Sequence, residues 1–221
     1  MSEHFASKSD TSVPVGHTFS ARSWVRANVV GLGVVYGLFA LLGDLTEYGL
    51  GVAHNSGVRN LALLVAVLAG ASLLTVLRHR VIAPYVDTPR WAMLGAGGAL
   101  ALGLIVGFAV GGPPFDFVLG VISLGTIGGA IQWRAWRGRL DRPGGLLIAG
   151  IVGWLLAGVA VGAVAVLAGD GLHHLFGAPK DGTALGTVFF VFILTLLGVV
   201  GGAVGGAVEG AALHRRLDRG V

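Results

Sequence analysis

The chain contains no cysteine among its 221 residues. Disulfides, thiolate catalysis and cysteine-based zinc or iron–sulfur sites are therefore excluded. Charge is the second shortage. Asp, Glu, Lys and Arg supply 12% of the residues and hydrophobic types 54%, against about 25% and roughly 45–50% in ordinary soluble domains. So little charge cannot cover a water-facing surface, which excludes a soluble globular enzyme and a disordered chain and points to a membrane protein. Catalytic signatures are missing as well: there is no G-x-S-x-G, no H-E-x-x-H and no intramembrane Asp pair. Look-alikes of G-x-G-x-x-G arise by chance at high glycine content, and none here follows a strand.

What is present is apolar and glycine-rich. Glycine accounts for 39 residues, against a usual share of about 7%, with no collagen-like Gly-X-Y period. Mean hydropathy is +0.82 and the pI about 10.1. A basic pI can mark a nucleic-acid partner. Here the arginines flank long apolar runs, so membrane topology explains them and no nucleic acid is expected.

Residues 1–20 are polar and Ser-rich and read as a disordered tail without the apolar stretch of a signal peptide. Six apolar segments follow, near 24–43, 60–77, 91–111, 116–133, 145–168 and 186–210. About 20 residues of helix cross the hydrocarbon core of a bilayer. The segments do not alternate as barrel strands would, so helices are expected. The fold class is thus an all-α polytopic integral membrane protein of six transmembrane helices.

The connections sort by charge. Lys8 and Arg22 precede the first segment and Arg26 lies at its start. Arg78, Arg80 and Arg90 lie between the second and third, and Arg134, Arg137, Arg139 and Arg142 between the fourth and fifth. Arg215, Arg216 and Arg219 follow the sixth. The remaining connections hold only Arg59 and Lys180. Cytoplasmic loops collect Lys and Arg, which predicts both termini in the cytoplasm of an inner (cell) membrane. Trp24, Tyr85, Trp91, Trp133 and Trp136 fall at the same ends, where an interfacial aromatic belt is expected.

Two helix ends resemble each other. Residues 128–142 read GGAIQWRAWRGRLDR and residues 205–219 read GGAVEGAALHRRLDR, with residues 70–81 fitting more weakly. The repeat predicts three pseudo-symmetric hairpins, about 24–81, 91–142 and 145–219. Three hairpins are also the plan of the mitochondrial carriers, but their P-x-[DE]-x-x-[KR] signature is absent and no family is assigned.

Small residues recur at i+4 spacing, which keeps them on one helix face. Gly198, Gly202, Gly206 and Gly210 form one such row, and Gly103, Gly107 and Gly111 belong to another. Close packing through such rows associates helices in lipid. The same faces can admit lipid or a flat apolar cofactor such as a carotenoid, quinone or chlorin, and the sequence selects none.

Intramembrane ionisable groups mark functional sites by default. Glu209 is the informative one, with its repeat partner Gln132 and the neighbouring Thr126 as further polar candidates. The expected partners of Glu209 are Arg134 or Arg137, within a basic rim of Arg78, Arg80, Arg134, Arg137, Arg139, Arg215 and Arg216. His54, His173, His174, Asp44, Glu47, Asp170 and Asp181 are assigned to the opposite loops; their spacing matches no metal signature. The expected function is non-enzymatic: a scaffold or accessory subunit of a membrane complex, alone with lipid, with other subunits or as a homo-oligomer. The alternative is a small-solute or ion permease with pseudo-symmetric hairpins and a lumen lined by Glu209, Gln132 and Thr126.

Overall fold

The computed structural model describes residues 18–46, 56–110, 115–140, 143–176 and 183–217. They form seven α-helices: α1 (Ala21–Asp44), α2 (Ser56–Ile82), α3 (Arg90–Val110), α4 (Phe115–Ser123), α5 (Gly129–Trp136), α6 (Gly144–Phe176) and α7 (Ala184–Leu217). A π-helical turn, Leu124–Gly128, joins α4 to α5, so these three pieces make one span. Among the described residues six helices are long and apolar enough to cross a membrane. Residues 1–17, Lys8 included, lie outside the description, as do Glu47, His54, Gly111, Arg142, Lys180, Asp181 and Arg219.

Local chemistry sets the boundaries. The Ser20 hydroxyl accepts the Ser23 N–H and caps α1, satisfying a donor that a helix start leaves orphaned. The Thr183 hydroxyl accepts the Gly186 N–H at the start of α7. Just past the end of α5, Gly138 adopts φ 86°, the left-handed region where a Cβ is costly. Two spans run beyond the expected segments: the second continues through Arg78 and Arg80 to Ile82, and α6 reaches Phe176. Asp170, His173 and His174 therefore sit within α6 and not in a loop, correcting their assignment; their side chains are outside the description.

Each span packs against its neighbours in the chain, and the first packs antiparallel along the last, so the six close into a ring in sequence order. The α1–α7 interface is the most extensive, although these two spans belong to different expected hairpins. The centre of the ring is filled. Leu32 and Tyr36 from α1, Leu74 from α2, Leu100 from α3, Phe117 from α4 and Leu197 from α7 belong to one buried apolar cluster. The Tyr36 hydroxyl donates to the Phe117 carbonyl at 3.0 Å, tying α1 to α4 across it. A second cluster, including Phe19, Trp24, Ile82, Trp136 and Leu213, closes the arginine-bearing end. Phe19 is 2% exposed, against Trp24 and Tyr85. The tail thus gives way to packed structure before residue 20.

Backbones approach closely where glycine removes the side chain. A Cβ at Gly202 would lie 2.6 Å from the Asn28 carbonyl oxygen and 2.7 Å from the Val29 Cα; one at Gly198 would strike the Leu32 carbonyl. Gly206 faces Asn28 and Gly210 faces Trp24, completing one edge of α7 against α1. Gly103 meets α4 in the same way, at Ser123 and the Leu119 carbonyl, while Gly107 is buried.

Candidate functional site: a buried arginine–glutamate pair

Two stripes converge on one point. On α2 the buried residues Val67, Ala71, Leu74, Arg78 and Ile82 follow at intervals of three or four, which is one face of a helix. On α7, Gly202, Gly206, Glu209 and Leu213 do the same. The extension of these stripes brings Arg78 and Glu209 face to face inside the ring.

Arg78 Nη2 lies 2.6 Å from both Glu209 carboxylate oxygens. The two side chains are 2% and 7% exposed, so this is a buried ion pair. Two indoles complete it. Trp24 Nε1 donates to Glu209 Oε2 at 3.3 Å, and Trp154 Nε1 donates to the same oxygen at 3.2 Å. The guanidinium carbon stands 4.6 Å from the Trp24 ring centroid and 5.9 Å from that of Trp154, within the range of cation–π attraction. The pair sits at the seam of the two apolar clusters, Trp154 belonging to the first and Trp24 to the second.

Glycine makes room for the second indole. A Cβ on Gly125, in the π-helical turn, would collide with the Trp154 Cβ, and one on Gly205 would collide with its six-membered ring. The π turn and α7 therefore hold the Trp154 side chain between them and aim its N–H at Glu209. Replacing Trp154 by phenylalanine keeps most of the ring and removes one charge-assisted bond. The expected cost is about 1.5–3 kcal/mol, checked by thermal melting of the purified protein in detergent.

The polar candidates separate. Gln132 is buried at 2% exposure and shares with Glu209 a crevice of about 10 Å³, bordered by Trp136, Leu146 and Leu213. That volume holds about one water molecule. The Gln132 Nε2 has no protein partner among the described residues, so such a water would complete its bonding. Thr126 does not join them, because its hydroxyl donates to the Ile122 carbonyl one turn back on its own span. Ser72 likewise bonds the Leu68 carbonyl, and Thr75 reaches the Met93 carbonyl on α3 at 3.4 Å.

The basic rim needs correction. Arg78 leaves it for the interior, and it, not Arg134 or Arg137, pairs with Glu209. Arg80, Arg134, Arg137, Arg139 and Arg215 are exposed and Arg216 is half-buried against Gly145. Arg137 stands over Trp133, and Arg139 pairs with Asp87 at 3.5 Å. Trp24 and Trp136 also leave the expected aromatic belt: both are buried, and the Trp136 N–H donates to the Thr88 hydroxyl.

At the other end, Asp116 is buried; its Oδ1 accepts the Phe117 N–H, and its Oδ2 has no partner among the described residues. Asp44 accepts from the Thr187 hydroxyl, linking the end of α1 to the start of α7. Among the described residues no three His, Asp or Glu side chains group to hold a metal ion. No family model matches the chain, and neither a curated protein nor a solved structure shows significant similarity to it.

Proposed function

We propose that this protein is a non-enzymatic integral membrane bundle acting as a scaffold or accessory subunit of a membrane complex. Its six spans form three pseudo-repeated hairpins, and its arginine-rich ends and both termini face the cytoplasm. What carries the proposal is the state of the interior. The ring has side chains from all six spans at its centre, and the Glu209 carboxylate of the intramembrane ion pair accepts from Arg78 and two indoles of the bundle itself. A charge at mid-bilayer costs about 2.5–3.5 kcal/mol on insertion scales. Pairing and burial inside the bundle offset that cost without any solute. The glycine edges of α7 serve packing, as small-residue faces in membranes do.

A permease is the second reading, favoured by one feature: the one-water crevice where Gln132 meets Glu209. Proton relays in membranes use carboxylates of this kind. Reconstitution separates the two. Vesicles with entrapped pyranine are given a pH or potassium gradient and compared with empty vesicles. A scaffold leaves the gradients intact for both the parent protein and E209Q, while E209Q lowers the melting temperature. A gradient collapse that requires the parent protein and changes in E209Q overturns the proposal.

A further inference from the structure

We infer that the bend between α2 and α3 holds a binding site for an anionic phospholipid of the leaflet facing the arginine-bearing end. A groove of about 260 Å³ opens there between the two helices. Its mouth carries Arg80, in the last turn of α2, and Arg90, the first residue of α3. Both are exposed, and neither pairs with an acid among the described residues. His79 also lines the groove, and its Nδ1 is buried without a partner among the described residues. Among the described residues no Asp or Glu lines it. The single acid of the connecting segment, Asp87, is engaged by Arg139.

Below this mouth the groove turns apolar. Val76 is 46% exposed and Leu94 66% exposed, with Met93 between the helices. The Thr75 hydroxyl bond to the Met93 carbonyl closes its floor. One turn further along α3, Gly98 has open space where a side chain would stand, which leaves a shallow track along the outer face. Cationic head and apolar track match one kind of molecule. Two guanidinium groups recognise a phosphate through planar paired N–H donors, and the track takes the first carbons of an acyl chain. Basic pockets between helices at this level select anionic head groups. A choline head group would add a third positive charge at the mouth, so phosphatidylcholine is disfavoured. The inference requires only that the bundle sits in lipid and is independent of the choice between scaffold and permease.

Native mass spectrometry tests it on the full chain exchanged into detergent with phosphatidylglycerol or phosphatidylcholine of identical acyl chains. Phosphatidylglycerol is expected to stay bound and raise the melting temperature, and phosphatidylcholine is not. Retention should fall about fivefold in R80Q and again in R90Q, while R215Q, on the exposed end of α7, leaves it unchanged. Both arginines project from the surface, so the variants keep the fold, and their melting in lipid-free detergent checks this. Equal retention of phosphatidylcholine, or undiminished phosphatidylglycerol in the R80Q/R90Q double variant, overturns the inference. So does an equal stabilisation by inorganic phosphate alone, which would assign the site to a free anion.

Discussion

Replacing Glu209 by leucine is expected to destabilise the bundle by about 3–5 kcal/mol, the range for removing one partner of a buried ion pair. The loss comes mostly from what is left behind. Arg78 would keep its charge at 2% side-chain exposure with no acceptor, and the Trp24 and Trp154 indoles would lose theirs. Replacing Arg78 by methionine strands the carboxylate instead and should cost a similar amount. The two together should cost far less than the sum, because buried ion pairs are often replaceable by apolar residues of similar volume at little net cost. The double variant is expected within about 2 kcal/mol of the parent, leaving a coupling of several kcal/mol in a double-mutant cycle. Reversible unfolding in mixed detergent measures all four corners. Additive losses would mean that Arg78 and Glu209 contribute separately, and the pairing would lose its role as the lock between α2 and α7.

Gly202 should, with Gly198, be among the least replaceable glycines of α7. The atoms facing it are backbone, the Asn28 carbonyl and the Val29 Cα, and these cannot rotate aside as a side chain can. Overpacking of this kind typically costs about 1–3 kcal/mol per site. Gly202→Val exceeds one methyl and displaces the helix axis, so a loss at or above the upper end is expected. Movement of α7 would also carry Glu209, seven residues on, away from Arg78. Gly98→Ala provides the contrast, since its Cβ would meet nothing within 4 Å. There a neutral effect, or a gain of up to about 1 kcal/mol from helix propensity, is expected. Melting of both variants side by side distinguishes packing from a general dislike of added bulk.

Apolar length and charge were enough to read the helices from the sequence. The six spans follow from runs that only a helix can carry through lipid, and the second ends later than its apolar run because Arg78 and Arg80 continue α2. The site was half legible. Glu209 stood out as a charge inside an apolar run. Its partner did not, because Arg78 adjoins His79 and Arg80 and looks like part of a terminal cluster. The discriminating signal was the stripe from Val67 to Ile82, which places Arg78 on the inward face and Arg80 on the outward one. Trp154 offered a fainter sign, an indole far from either end of its span. The π turn beside it had no sequence signature; Gly125 within it leaves the space that the Trp154 side chain occupies. The closure of α1 onto α7 was also hidden: a hairpin repeat describes neighbours, and says nothing about the first and last spans.

That closure bears on how the protein is made. Arg78 and Glu209 are 131 residues apart, and synthesis proceeds at about 5–20 residues per second. At that rate a nascent chain carries a lone cation on its second span for roughly 7–26 s before the counter-ion is made. Until then Arg78 has to reach back to the head groups, and α1 must rest in lipid without the surface it is shaped for. Only the final span brings the carboxylate that pairs this cation inside the ring. A ribosome that stalls before that point leaves an unfinished bundle with Arg78 still lacking its counter-ion.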